Sequence, residues 1–188
     1  MIKEDRRTTR TKKQLSEALK ELVLEKNYDE ITIQEIIDRA NVGRSTFYTH
    51  YESKEQLLIG NINFQETLID TPSDDEENYP FGINLAYLFS HNKEHVLLYK
   101  AMAGNSSLHL LGNYFIDLCA GKILAQFKRK PAFRGRNKQL LMYKSEAAAA
   151  GIIRMMFKWL EDGAKLPAEE LIAHSRYLLF SLSEGEGT

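Results

Sequence analysis

One cysteine, Cys119, stands in a chain of 188 residues, so no internal disulfide can staple the fold. Its neighbours from Phe115 to Ile123 are mostly apolar or small, which reads as a packed thiol in a reducing, cytoplasmic setting. No apolar run approaches the roughly 20 residues that cross a bilayer. The N-terminus is polar and basic, with no hydrophobic signal core, so a soluble chain with no membrane partner is expected. A glycine-rich phosphate loop and a nucleophile elbow are both missing, and Cys119 has no legible catalytic partner, which argues against an enzyme. His91 and His95 are four apart, but Asn92 and Lys93 fall between them where a turn is expected and no third ligand is in sight. The acidic loop from Thr71 to Asn78 has no ligand spacing, so neither metal nor cofactor is expected. No stretch argues for a sheet.

A net charge of −1 gives no global electrostatic reason to expect nucleic acid. The distribution is uneven, however. Residues 1–13 hold six basic side chains against two acidic ones, while residues 14–60 hold five against nine. From Thr11 to Asn27, Leu15, Ala18, Leu19, Leu22 and Val23 recur at spacings of three and four, one buried stripe of a helix. Thr32 is placed to cap a second helix, Ile33 to Ala40, with Glu35 completing a capping box. Asn41-Val42-Gly43 stops it, Gly43 supplying the backbone freedom of a sharp turn, and a third helix opens at Arg44 or Ser45 and runs to about Tyr48. Two short helices across such a turn make a helix-turn-helix, whose second helix enters the major groove.

The stretch from Ile31 through Leu58 resembles the DNA-binding signature of TetR-type regulators: turn, aromatic pair Phe47-Tyr48, His50 and Lys54 all fall at the family's spacing. The resemblance implies a DNA-facing set made of Thr32, Gln34, Arg44, Ser45, Thr46, Tyr48, Thr49, His50 and Lys54. Arg44 can donate two hydrogen bonds to one guanine. Tyr48 and His50 either reach the backbone or close the small core, and Phe47 packs inward. Ser53 caps a fourth helix whose first turn, with Lys54, suits a phosphate. The basic N-terminal arm is expected to lie against DNA backbone or minor groove.

The fourth helix is expected to run to about Ile69. Beyond it, Phe81 to Ser90, Glu94 to Ala103, Ser107 to Lys130, Lys138 to Asp162 and Pro167 to Leu182 read as helical. The expected fold is therefore all-α: an arm and three-helix helix-turn-helix domain over residues 1–58, then a helical regulatory and dimerisation domain over 59–188. The last two helices are more apolar than one small core requires. The family resemblance implies that they pair with their twins in a homodimer, through Ala147, Ala150, Gly151, Ile153, Phe157, Leu171, Tyr177 and Leu178. Tyr87, Tyr99, Met102, Tyr114, Phe115, Cys119, Phe127 and Met155 serve equally as ordinary core or as the lining of a site for a small hydrophobic effector. The expected function is a repressor that binds a palindromic double-stranded operator as a homodimer. The rival of the same class is a co-regulator whose C-terminal domain binds a partner protein instead of a small molecule.

Overall fold

The computed structural model describes residues 6–60, 79–130 and 133–184, and among these residues the regular structure is helical throughout, with no strand. The all-α expectation holds. We number the helices α1 (Arg6–Glu25), α2 (Ile33–Ala40), α3 (Arg44–His50), α4 (54–60, where its described part ends), α5 (Leu85–Glu94), α6 (Val96–Met102), α7 (Ser106–Arg129), α8 (Lys138–Glu161) and α9 (Ala168–Glu184). The expected extension of α4 to Ile69 and the acidic loop at 71–78 lie outside the described residues.

The chain divides into two compact units. The first takes in residues 1–65 and 97–111, the second residues 66–96 and 112–188. A division at residue 58 leaves 97–111 with the C-terminal part, whereas the contacts put that segment with the helix-turn-helix.

In the first unit α1 buries Leu15, Ala18, Leu19, Leu22 and Val23, the stripe expected from its periodicity. It packs against α2, which contributes Ile36, Ile37 and Ala40. Phe47 is the single fully buried side chain of α3, and Leu57 is its counterpart on α4. Each such burial stabilises by roughly 1.5–3 kcal/mol, so a domain this small depends on every one of them. Tyr51 closes α3 with its ring against Gly60: a Cβ on that glycine would stand 2.8 Å from the ring, closer than packing tolerates.

The second unit is assembled from α5, α8, α9 and the 3-10 turn Pro80–Gly82. Edge-to-face aromatic pairs bind it: Phe89 with Trp159 at 5.7 Å, Phe115 with Phe157 at 6.1 Å and Phe81 with Phe127 at 5.3 Å. The Trp159 indole donates to the Leu166 carbonyl at 3.0 Å, so its burial leaves no orphan N–H. One expected boundary fails here. Phe81 and Gly82 both have positive φ, so α5 starts later, after Asn84, whose side chain accepts from the Tyr87 amide at 2.8 Å. Periodicity registers apolar spacing, and Phe81 is buried without being helical.

Candidate nucleic-acid interface

The start of α2 is fixed by a reciprocal cap. Thr32 Oγ1 accepts from the Glu35 amide at 3.2 Å, and Glu35 Oε2 accepts from the Thr32 amide and hydroxyl, each at 2.9 Å. The end of α2 is a Schellman motif: the Val42 amide reaches the Ile37 carbonyl at 3.0 Å and the Asn41 amide reaches Asp38 at 3.2 Å. The left-handed residue of this turn is Asn41 (φ 52°, ψ 50°), while Gly43 is extended at φ −71°. The expectation that Gly43 supplies the turn is corrected accordingly, because asparagine tolerates the left-handed region and takes that position. Gly43 instead precedes α3 as its N-cap, with open space where a side chain would begin.

Because α3 is only seven residues long and sinks Phe47 completely, the rest of its surface turns outward. Arg44, Ser45, Tyr48 and Thr49 are exposed; Thr46 and His50 are half-buried. The Tyr48 ring is 48% exposed, which removes the reading that it closes the core, and the Arg44 guanidinium lies 6.0 Å from its centroid. Thr49 Oγ1 donates back to the Ser45 carbonyl at 2.9 Å. On α2, exposed Gln34 donates to Asp38 at 2.9 Å, a contact at the surface that leaves the amide accessible.

Elsewhere in the domain the cations are largely committed. Arg39 forks onto Glu25 with two bonds of 2.8 Å and onto Glu21 at 3.2 Å. That hydrogen bonding holds the Glu25 carboxyl below its ordinary value and raises the guanidinium's. Lys26 meets Glu35 at 2.6 Å, and this bond, with those from Thr32, pulls the Glu35 carboxyl down to about 2. The positive charge on the outward face of α3 is thus that of Arg44.

Two residues expected at the DNA are spent inside the domain. Thr32 both donates and accepts within its capping box. Lys54 Nζ donates to the carbonyls of Tyr28 at 2.8 Å, Ile31 at 2.9 Å and Asp29 at 3.3 Å, and sits 4.4 Å over the Tyr28 ring. An ammonium has three donors, and here each has a carbonyl. On the same turn, the Asp29 carboxylate accepts from the Ser106 hydroxyl and, at 3.4 Å, from the Ser106 amide. Those bonds hold Asp29 below the usual carboxylate range. Ser53 caps α4 as expected, accepting from the Gln56 amide at 3.2 Å.

The basic arm is shorter than expected. Arg6, Arg7, Arg10, Lys12 and Lys13 already lie in the opening turns of α1, and residues 1–5 lie outside the described residues.

On α8 and α9 the expected interface divides in two. Ala147, Gly151 and Tyr177 are exposed, with Ala150 and Leu178 half-buried. Ile153, Phe157 and Leu171 are buried within their own chain, so those three are corrected to core positions. Tyr143, which continues the stripe, is 55% exposed.

The residues offered as an effector lining separate as well. Tyr99 and Met102 are buried in the first unit, while Phe115, Cys119 and Phe127 are buried in the second. Tyr87, Tyr114 and Met155 are half-buried in that second unit. Burial pushes the Cys119 thiol up to about 12, which leaves it protonated and inert as a nucleophile. His91 packs edge-on against His95 at 4.9 Å and stacks on Tyr87 at 5.1 Å.

Comparison with known proteins converges on this helix-turn-helix. Residues 15–60 match the family of bacterial regulatory proteins, tetR family. A 55-residue segment, 29% of the chain and 14% of the relative, is 46% identical to the HTH-type transcriptional regulator YxbF of Bacillus subtilis. A 90-residue segment is 26% identical to the HTH-type dhaKLM operon transcriptional activator DhaS of Lactococcus lactis, covering 48% of the chain and 47% of that protein. The chain thus spans less than half the length of these two relatives.

Among solved structures, a TetR-family regulator from Syntrophomonas wolfei aligns over 96% of this chain and 98% of its own, with TM-score 0.65 and 18% identity. A TetR regulator from Streptococcus agalactiae aligns over 93% and 96%, with TM-score 0.60 and 24% identity. NalD, the secondary repressor of the MexAB-OprM multidrug efflux pump in Pseudomonas aeruginosa, aligns over 93% and 96%, with TM-score 0.53 and 20% identity. At these identities the likeness concerns the fold.

Proposed function

We propose that this chain, whose residues 15–60 match the family of bacterial regulatory proteins, tetR family, is a regulator of that family that represses transcription as a cytoplasmic homodimer on a palindromic operator. The observation that carries the reading is the outward face of α3. Arg44, Ser45, Tyr48 and Thr49 are exposed together on a short helix that is held by a buried Phe47 and follows the capped α2 across the Asn41 turn. Arg44 at the helix N-terminal end reads a guanine, Tyr48, Thr49 and His50 take phosphate or thymine methyl groups, and Thr46 and Gln34 flank them.

One such helix reads too few base pairs to select a site. Two copies about one helical turn, ~34 Å, apart do so and impose a palindrome. Support for the pairing comes from the exposed stripe Tyr143, Ala147 and Gly151 on α8 with Tyr177 on α9, where small residues let another helix approach closely. Release by a small hydrophobic effector in the second unit completes the scheme. Such an effector works by preferring the conformation that does not fit the operator.

Gel shift on the DNA upstream of the protein's own gene tests this, with Arg44→Ala and Tyr48→Ala beside the native chain. Native binding that both variants lose while sedimenting as dimers supports the reading; equal binding by all three removes it. A second reading, activation, is favoured by the likeness to DhaS, which is named as an activator. Transcription of the bound promoter in the presence and absence of the protein separates the two signs.

A further inference from the structure

In the domain on which the proposed DNA reading rests, the geometry points to Lys54 as a positioning residue: its ammonium clamps the turn between α1 and α2, and through it sets the seat of α3, without touching phosphate. Three observations converge. The Nζ group meets three carbonyls, of Tyr28, Asp29 and Ile31, at 2.8, 3.3 and 2.9 Å, which exhausts its donors. It also lies over the face of Tyr28, a side chain only 1% exposed, so the charge is seated on the core. And its helix begins just after Tyr51, the residue that closes α3.

The turn it grips is itself loaded. Tyr28 Oη approaches Glu55 at 3.5 Å, and Asp29 holds Ser106. A phosphate arriving at Lys54 would have to draw the ammonium away from three carbonyls and then meet the negative charge of Asp29, which already feels that ammonium. Pulling it out would take the ammonium from the carbonyl of Ile31, a residue only 2% exposed, and leave the Tyr28 carbonyl with the Ile31 amide alone, at 3.1 Å. The recognition helix is only seven residues long and buries one side chain, so its angle depends on such external supports.

The distinguishing readout is the salt dependence of DNA affinity. A lysine that neutralises a phosphate lowers the slope of log K against log salt by about one per half-site when removed, whereas a lysine that positions leaves the slope alone. The full chain and its Lys54→Met and Lys54→Arg variants are titrated by fluorescence anisotropy onto a labelled random-sequence duplex at several sodium chloride concentrations. Thermal melts are recorded in parallel.

The inference expects Lys54→Met to melt earlier and bind about tenfold more weakly with the native slope. Lys54→Arg should share the defect, since a planar fork cannot converge on three carbonyls as an ammonium does. A slope reduced by about two per dimer overturns it, with or without a change in melting. So do native melting and affinity in Lys54→Arg, the result that still decides the matter if Lys54→Met fails to fold. Failure of the native chain to bind duplex at low salt is a separate result, and it removes the DNA-binding reading itself.

Discussion

The helix-turn-helix and the last two helices solve different problems with different chemistry. Around α2 and α3 the chain is held by directed polar bonds: the Thr32–Glu35 capping box, the Arg39 fork onto Glu21 and Glu25, and the Lys54 clamp. Around α8 and α9 the bonding is apolar. Ile152, Ile153, Met156, Phe157 and Leu160 fill the interior, and Tyr143 and Tyr177 remain outside. The first region uses small polar devices because its core is too small to orient a seven-residue helix by packing alone. The second has apolar surface to spare, and under the proposed pairing that surface meets a second copy.

The comparison is broken most severely by Phe47→Ala. Removing the one fully buried side chain of α3 costs about 3–5 kcal/mol, enough to unfold a small domain. Far-UV circular dichroism should show early partial unfolding. Fluorescence of Trp159, the sole tryptophan, which is buried in the second unit, should hold until higher temperature. A single transition seen by both probes would merge the two regions into one cooperative structure.

Charge placed on the apolar stripe is next. Tyr177→Asp should weaken the proposed homodimer by about 2 kcal/mol or more, seen as monomer by sedimentation at micromolar concentration, with Trp159 fluorescence native. Arg44→Ala, in the polar region, should cost about 1–3 kcal/mol of operator affinity while leaving the melting temperature unchanged, and should relax preference at one base pair.

Acid sharpens the contrast more gently. The Glu35 carboxyl, held at about 2 against an ordinary value of 4.5, binds its proton later in the folded chain than in the unfolded one. Its contribution is therefore fully present above about pH 4.5 and is lost as pH falls through about 2. Melts between pH 5 and 2 should show Glu35→Gln less acid-sensitive than the native chain. The smallest effect is expected for Gly43→Ala, within about 0.5 kcal/mol of native stability, because φ is −71° and an added Cβ meets Thr46 Oγ1 at an unstrained 3.6 Å. A loss beyond about 1 kcal/mol would return the turn to the glycine.

Much of the site was legible beforehand because its devices are local. A capping box needs residues three apart, an amphipathic stripe needs a period, and a recognition helix follows a turn, so α2, α3 and inward Phe47 could be read from spacing. Gly43 misled because glycine is the commoner left-handed residue; Asn41 in the same turn was the signal. At Phe81 the apolar period ran into a non-helical turn, and the later cap at Asn84 was the mark of the true start.

The sequence by itself determined which segments are helices, where they are capped and which face of each is apolar, since these depend on neighbours within a few residues. Only the tertiary structure decided which apolar residues remain outside and which charges are already taken. Ile153 and Tyr177 look alike in an apolar run, yet one is enclosed and the other exposed. Lys54 and Arg44 are equally basic in the sequence, yet one is held by residues 23 to 26 positions away and the other faces solvent. Partners that distant are brought together by packing, and no local spacing records them.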